Sequence, residues 1–221
     1  MILIDEYDKP LLQNLHDEEM QNRFRNMLKP FYGVLKTMDR AIRFALLTGV
    51  TKFGKVSVFS DLNNLDDISM REPYAAICGI TETELRTHFD EDIHTLASAL
   101  ERTYEEARSL LRKRYDGYHF VAGGPGIYNP FSLLNTFKYM RLSDYWFETG
   151  TPTYLVELLK RTNYDLYDMA NTETDADVLN SIDSASNNPI PVIYQSGYLT
   201  IKDYEPEFKI CLLYTSDAAD E

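Results

Sequence analysis

The feature that most constrains this sequence is a pair of short apolar runs separated by one long helical pattern. The first run, Ile2–Ile4, ends directly in two carboxylates, Asp5 and Glu6, and the second run covers residues 44–48. Two parallel strands can be joined only by a long crossover, which is usually a helix. The sequence therefore predicts a β-α-β unit with two parallel strands, and with it an α/β fold.

The helix between these strands is predicted to cover residues 11–38. Its apolar side chains recur at spacings of four, three and four, which places them on one helical face: Phe24, Leu28, Phe31 and Leu35. Asp8 stands where it can cap the helix, and Pro10 suits the first turn. Pro30 falls inside the pattern and is expected to kink or break the helix.

The chain after residue 80 is predicted to form an α-helical or winged-helix-like lid. Thr81 and Glu84 have the spacing of a capping box, which marks the start of a helix. Further helical patterns cover 90–114, 130–139 and 153–161. The polar, acidic segment 165–188 is interpreted as a mobile helix or linker. Residues 189–210 are interpreted as a β-hairpin with one strand at 197–202.

The C-terminal residues 211–221 match the translation of a transposase sequencing adapter. We therefore expect a non-native tail that forms no packed element, and we exclude it from the fold. Because the chain also begins inside a strand, we interpret it as a fragment of a longer protein. The expected segments are an α/β part at 1–80, a lid at 81–188, a hairpin at 189–210 and the tail.

The composition narrows the class of protein. Hydrophobic residues make up 44% and charged residues 26%, which is typical of a folded chain. No apolar run reaches the roughly 18–20 residues of a membrane span, and the N-terminus lacks the basic region of a signal peptide. We expect a cytoplasmic protein with no membrane contact. The net charge of −13 disfavours direct binding to nucleic acid, which leaves only an indirect contact.

An apolar strand that ends in two consecutive carboxylates has the Walker B pattern. In that pattern the first acid, here Asp5, holds Mg²⁺ through water, and the second, here Glu6, orients the attacking water. The carboxyl end of a strand in an open α/β sheet is also where nucleotides bind. On its own the pair is equally well explained as an ordinary transition from strand to loop.

Seven segments of the chain together resemble one protein family. They are LIDEYDKP at 3–10, RFALLTGVTK at 43–52, FSDLNNL at 59–65, YDGYHF at 115–120, YNPFS at 128–132, WFETGTP at 146–152 and QSGYLT at 195–200. These segments are similar to those of the AAA-ATPase-like proteins of gut bacteria, and the resemblance covers residues 1–210. It implies that residues 1–80 are the C-terminal part of a P-loop NTPase core of the additional-strand class, with ATP and Mg²⁺ as cofactors, and that the hairpin at 189–210 leads to a further domain. It also implies an upstream phosphate loop and a downstream PD-(D/E)XK nuclease-like domain in the same protein.

The resemblance assigns roles to three residues. Asp5 and Glu6 match the Walker B acids, and Thr48 matches the polar sensor that contacts the γ-phosphate. The parent protein is then expected to hydrolyse ATP as a conformational switch that controls the nuclease-like domain. Two alternatives remain: a non-catalytic module that docks a nuclease-like partner, and a fragment without activity.

The segment 49–56 nearly matches the phosphate-loop motif G-x-x-x-x-G-K-[ST]. Val56 stands where Ser or Thr must bind Mg²⁺, and the residues that follow favour a strand where the motif requires a helix. We therefore do not interpret it as a phosphate loop, and we expect this chain alone to bind ATP weakly and to be inactive. Lys52 and Lys55 either approach the nucleotide from this loop or belong to an ordinary surface loop.

Other chemically interesting residues have simpler explanations. Cys78 is expected to be a buried free thiol, and His119 a packed or hydrogen-bonded histidine. The aromatic residues around it either form a surface that stacks on nucleic acid or belong to the lid core: Tyr115, Tyr118, Phe120 and Tyr128. Arg161 either acts in trans as an arginine finger or is a charge at a helix C-terminus.

Overall fold

The computed structural model describes residues 1–14, 17–52, 58–59, 62–121, 123–148, 153–162, 173–179, 188–205, 207 and 210–215. The chain divides into two compact units that are interleaved in sequence. The first unit draws on 1–67, 152–166 and 175–196, and the second on 68–151, 167–174 and 197–221. The segments expected from sequence were continuous, so the interleaving is a feature that only the structure reveals.

The first unit contains the β-α-β arrangement predicted from the sequence. Strand β1 (Ile2–Ile4) pairs in parallel with β2 (Ala45–Leu47), in the register Ile2 to Ala45 and Ile4 to Leu47. Helices α1 (Lys9–Leu12) and α2 (Glu18–Thr37) and a 3₁₀ turn at Asp39–Ala41 connect them. The result is a mixed helix and strand fold with a small parallel sheet, which is compatible with an α/β class.

The crossover helix is interrupted at a different place from the one predicted. The break separates α1 from α2, and Asp17 starts α2 by accepting a hydrogen bond from the Met20 N–H at 2.8 Å. Pro30 lies inside α2, which nevertheless continues to Thr37. A proline removes one backbone donor, but tertiary packing of the helix beyond it can compensate for that loss. The expected break at Pro30 is therefore not found, and the alternative expectation of a kink stays a prediction.

The buried face of α2 includes Leu35, as predicted, but Tyr32 in place of Phe31. Tyr32 and Leu35 are buried, whereas Phe31 is 62% exposed. The Tyr32 ring packs at 5.2 Å from the ring of Phe59, and Phe59 in turn lies 4.9 Å from the ring of Tyr7. This aromatic cluster determines which side of α2 faces the interior.

The first unit also includes α8 (Thr153–Thr162), α9 (Ala176–Leu179) and α10 (Ile190–Gln195). The helix at α10 replaces the first part of the predicted hairpin. The Asn188 side chain accepts from the Ile190 N–H, and a proline occupies the first turn, both of which favour a helix start.

The second unit is mainly helical between residues 82 and 148. Its helices are α3 (Glu82–His88), α4 (Asp90–Ala99), α5 (Tyr104–Tyr115), α6 (Pro130–Tyr139) and α7 (Tyr145–Glu148). The core between them includes Leu85, Ile93, Leu111, Tyr128 and Leu133. The winged-helix-like description of this region stays a prediction.

The long helix predicted at 90–114 is two helices. Helix α4 ends at Ala99, and Glu101 adopts a left-handed backbone conformation with φ of 54°. Thr103 then begins α5 with a second capping box, in which its hydroxyl accepts from the Glu106 N–H. The capping box predicted at Thr81 is confirmed at the start of α3.

The remaining sheet has the strand order β3 (Glu173–Asp175), β5 (Ile210–Thr215) and β4 (Leu199–Glu205). Strands β4 and β5 pair in antiparallel fashion, with Leu199 opposite Thr215. Residues 211–215 therefore lie in a paired strand, whereas the interpretation of 211–221 as a non-native tail stays a prediction. Apolar and aromatic residues favour a strand wherever a partner strand is available. Residues 216–221 lie outside the described part of the chain.

No helix in the described residues combines the length and apolar character needed to cross a membrane.

Candidate functional site

The parallel register brings two of the predicted site residues into contact. Ile4 lies opposite Leu47, so Asp5 and Thr48 both follow at the carboxyl ends of their strands. The Thr48 N–H donates to the Ile4 carbonyl at 2.8 Å, and the Thr48 hydroxyl donates to Asp5 Oδ1 at 2.5 Å. Both side chains are on exposed residues, so the pair is accessible to a ligand.

The third predicted residue, Glu6, has its carboxylate turned toward a lysine. Glu6 Oε2 lies 2.6 Å from Lys9 Nζ, and the backbone of Glu6 is left-handed with φ of 52°. The Glu6 N–H donates to Asp5 Oδ1 at 2.9 Å. The hydrogen bond to Glu6 raises the pKa of the exposed Lys9 amine. The structure thus pairs the Glu6 carboxylate with Lys9 rather than with Thr48.

Asp8 is a site residue that the sequence analysis assigned to another role. It begins α1 but makes no side-chain cap, and its side chain is fully buried. Asp8 Oδ2 accepts from the Thr51 N–H at 2.6 Å and from the Thr51 hydroxyl at 2.7 Å, and Oδ1 accepts from the Val50 N–H at 3.2 Å. The only sequence signal for this role was the proximity of Asp8 to Asp5 and Glu6, which does not identify its partners.

The loop after β2 is bound closely to the loop after β1. Tyr7 donates its N–H to the Thr48 carbonyl at 3.0 Å and its hydroxyl to the Thr51 carbonyl at 2.9 Å. A Cβ atom at Gly49 would lie 2.5 Å from Asp8 Oδ1 and 2.8 Å from Tyr7 Cε1. Only glycine therefore allows the two loops to approach this closely.

Burial is the main reason that the pKa of the nearby Tyr32 phenol is raised, and the negative charge of Asp8 adds to the effect. Tyr32 therefore stays neutral, and the charge beside the site at neutral pH comes from carboxylates and lysines.

Lys52 is engaged in contacts within the first unit. Its N–H donates to Gln195 Oε1 at 2.6 Å, and its amine forms an ion pair with Asp67. Gln195 also donates from Nε2 to the Leu179 carbonyl at 2.7 Å. Residues 53–57, including Lys55, lie outside the described part of the chain, so the geometry of the 49–56 motif stays untested.

The residues at the strand ends fit a water-mediated Mg²⁺ rather than a protein cage. The described residues contain no group of three or more His, Cys, Asp or Glu side chains placed to hold a metal. Mg²⁺ usually keeps several waters and takes only one or two carboxylates together with substrate phosphates. A single exposed carboxylate beside a threonine hydroxyl, as Asp5 and Thr48 provide, is consistent with that habit.

The other sequence candidates have structural explanations. Cys78 is exposed, so the expectation of a buried thiol is wrong. Tyr115 and Tyr128 are buried in the core of the helical region, as the simpler interpretation predicted. His119 is hydrogen-bonded, with Nδ1 2.9 Å from the Gly124 carbonyl oxygen. Arg161 lies in the last turn of α8, where a positive charge favours the helix.

Comparisons with known proteins show which family the N-terminal part of the chain is similar to. The model of the AAA-ATPase-like family, described as predicted AAA-ATPase, matches residues 1–59. The chain is also 40% identical over 201 residues to an uncharacterized protein in the vnfD 5′ region of Azotobacter chroococcum mcd 1. That alignment covers 91% of this chain but only 37% of the relative's length. No solved structure matches the chain.

Proposed function

We propose that this chain, whose residues 1–59 match the model of the AAA-ATPase-like family, is part of a longer ATPase that uses ATP binding and hydrolysis as a conformational switch. The observation that carries the proposal is the contact between Asp5 and Thr48 at the carboxyl ends of two parallel strands. Nucleotides bind at this position in open α/β sheets. Because the chain spans 37% of its relative, the activity is proposed for the longer protein.

Each site residue has a distinct role in this proposal. Asp5 binds the waters of Mg²⁺, which when bound neutralises charge on the phosphates. Glu6 accepts a hydrogen bond from the attacking water and orients it, for which its carboxylate must leave Lys9. Thr48 donates its hydroxyl to Asp5 without nucleotide and to the γ-phosphate with it. This exchange of one hydrogen bond links the bound nucleotide to the loop after β2.

The phosphate loop of the proposed ATPase is supplied from outside residues 1–221. Most phosphate contacts in such sites come from backbone N–H groups of that loop and from its lysine. In this chain the nearest match ends in Val56, which cannot bind Mg²⁺. A PD-(D/E)XK nuclease-like domain in the same longer protein is the proposed recipient of the conformational change.

A second candidate function is a non-catalytic docking module, and the ion pair between Glu6 and Lys9 favours it. A carboxylate held by a lysine does not orient water. The two functions differ in one observable: a docking module binds its partner without nucleotide turnover, whereas an ATPase loses turnover when Glu6 is neutralised.

Calorimetry on the full-length protein tests the proposed nucleotide site. The wild type should bind ATP more tightly with Mg²⁺ than with a chelator. Asp5→Asn should weaken binding in Mg²⁺ on the order of 10- to 100-fold, because it removes an anchor of the metal's water shell. It should leave binding in chelator unchanged.

Asp17→Asn is the matched control, because asparagine caps a helix as well as aspartate does. Equal affinity with and without Mg²⁺ in the wild type would contradict the proposed site. The 221-residue chain alone should bind only weakly, and micromolar affinity there would instead favour the segment 49–55 as a phosphate loop.

A further inference from the structure

The loops that follow β1 and β2 form one hydrogen-bonded unit. Thr48 is fixed on its strand side by its N–H, which donates to Ile4, and by its carbonyl, which accepts from Tyr7. Beyond Thr48, the loop is fixed by Asp8, which accepts from Val50 and Thr51. The position of Thr48 therefore depends on contacts both before and after it in the chain.

Asp8 is an unusual residue for this place because it is a fully buried carboxylate. Burial of an ionised group costs several kcal/mol or more unless hydrogen bonds replace its hydration. Two backbone N–H groups and one hydroxyl do so here, and hydrogen bonds to a charged acceptor are stronger than those between neutral groups. Such an arrangement keeps the N–H groups of Val50 and Thr51 directed at the same carboxylate.

Asp8 is itself anchored, so it holds the loop in a defined position. Its carbonyl accepts from the N–H groups of Leu11 and Leu12, which fixes it at the first turn of α1. Both leucines are buried. The loop after β2 is thus attached to a helix start that is packed into the first unit, while Gly49 allows the close approach.

We infer that Asp8 is a positioning residue that holds the loop 49–51 so that the Thr48 hydroxyl donates its hydrogen bond to Asp5. This inference rests on the ATPase function proposed above. Asp8 bonds to the two residues that follow Gly49, and in this inference its effect on the reaction passes through Thr48. A displacement of about 1 Å at a catalytic group can lower a rate on the order of 100-fold. A loop held by three hydrogen bonds to one carboxylate is a means of preventing such a displacement.

The test is steady-state ATP hydrolysis by the full-length protein carrying Asp8→Asn. The asparagine amide presents its own N–H group to donors, so at least one of the three hydrogen bonds is lost. We expect kcat to fall on the order of 10- to 100-fold, with KM for Mg·ATP little changed.

A double variant separates positioning from a purely structural role. If Asp8 acts through Thr48, then Asp8→Asn combined with Thr48→Val is no slower than Thr48→Val alone, because both changes remove the same contribution. Rate losses that multiply would overturn the inference, since Asp8 would then act independently of Thr48. The thermal midpoint of each variant is measured alongside to correct for folding.

Variants at Thr51 supply the matched controls and cover a failure of Asp8→Asn to fold. Thr51→Ser keeps both donors to Asp8 and should retain wild-type kcat, whereas Thr51→Val loses the hydroxyl donor and should lower kcat in the same direction as Asp8→Asn. Equal kcat in both Thr51 variants would overturn the inference.

These rate measurements also distinguish a failure of the proposed ATPase function from a failure of the inference about Asp8. If the wild type does not hydrolyse ATP, the proposed function fails and the inference fails with it. If Glu6→Gln abolishes turnover but Asp8→Asn leaves kcat unchanged, only the inference fails.

Discussion

At the scale of single residues, contacts between the loops after β1 and β2 determine which side chains meet at the ends of the two strands. Asp5 and Thr48 touch each other, Asp8 binds the loop beyond Thr48, and Gly49 lies against Asp8 and Tyr7. A larger side chain at Gly49 would push these loops apart. Its effect can be separated from general glycine effects, because the chain offers a second glycine with free space.

We predict opposite stability changes for Gly49→Ala and Gly33→Ala in urea unfolding of the 221-residue chain. Gly49→Ala places its Cβ 2.5 Å from Asp8 Oδ1 and should destabilise by about 1–3 kcal/mol. Gly33 lies within α2, where an added Cβ has no neighbour within 4 Å. Gly33→Ala should therefore stabilise by about 0.5–1 kcal/mol. A neutral Gly49→Ala would show that the two loops separate at little cost.

The position of Asp5 and Thr48 could be predicted from the sequence, whereas the role of Asp8 could not. Strand direction follows from the β-α-β pattern, and it fixes which strand ends meet. Asp8 has the ordinary position of a helix cap, and its actual partners lie 42 and 43 residues away in the chain. Local spacing contains no information about such a long-range contact between two loops. The ion pair of Glu6 with Lys9 joins residues that are close in the chain. The sequence alone does not show whether the Glu6 carboxylate is paired with this lysine or unpaired.

At the scale of helices, the sequence did not indicate where the helical segments break. The capping box at Thr81 was predicted, but the one at Thr103 was overlooked because residues 100–102 contain no glycine or proline. Glu101 takes the left-handed conformation that glycine usually supplies. Conversely, Pro30 did not end α2, because Tyr32 and Leu35 beyond it are buried.

The capping box at Thr103 predicts a dependence of stability on pH. Hydrogen bonds from the Thr103 N–H and then from its hydroxyl lower the pKa of Glu106 from its ordinary value of 4.5. Because the folded state favours the ionised form, this contribution is present above pH 4.5 and is lost as the pH falls through the lower pKa of the folded state. Glu106→Gln should therefore destabilise the chain more at pH 7 than at pH 3, as measured by urea unfolding.

Glu91→Gln is the control for this effect, since Glu91 also lies in the first turn of a helix, α4, but belongs to no capping box. Its effect should change less between the two pH values. An equal change for Glu91→Gln and Glu106→Gln would attribute the pH dependence to the helix dipole rather than to the capping box.

At the scale of the whole molecule, the arrangement of the compact units could not be predicted from the sequence. The two compact units are interleaved, and α8, α9 and α10 join the first unit although they follow the helical region in sequence. The hairpin is also formed by other residues than those predicted. Residues 190–195 form a helix, and the second strand is Ile210–Thr215. Interleaving arises from long-range packing, which hydrophobic periodicity within single segments does not encode.

The longer protein is also the level at which the proposed function operates. Residues 1–59 match the AAA-ATPase-like family, and the chain covers 37% of its Azotobacter relative. The strand-end carboxylates are at the position where such a function needs them, but the residue that activates water determines whether the protein is an ATPase or a docking module.

The most direct test is therefore to compare Mg·ATP binding and ATP turnover in the full-length protein and its Glu6→Gln variant. Calorimetry and phosphate release are measured on the same samples, with Glu19→Gln, an exposed glutamate of α2, as the control. We expect Glu6→Gln to bind Mg·ATP as the wild type does and to lose turnover on the order of 100-fold or more, because a neutral amide is a much weaker acceptor for the attacking water than a carboxylate. Wild-type turnover in Glu6→Gln would contradict the account and assign the positioning of water to another group.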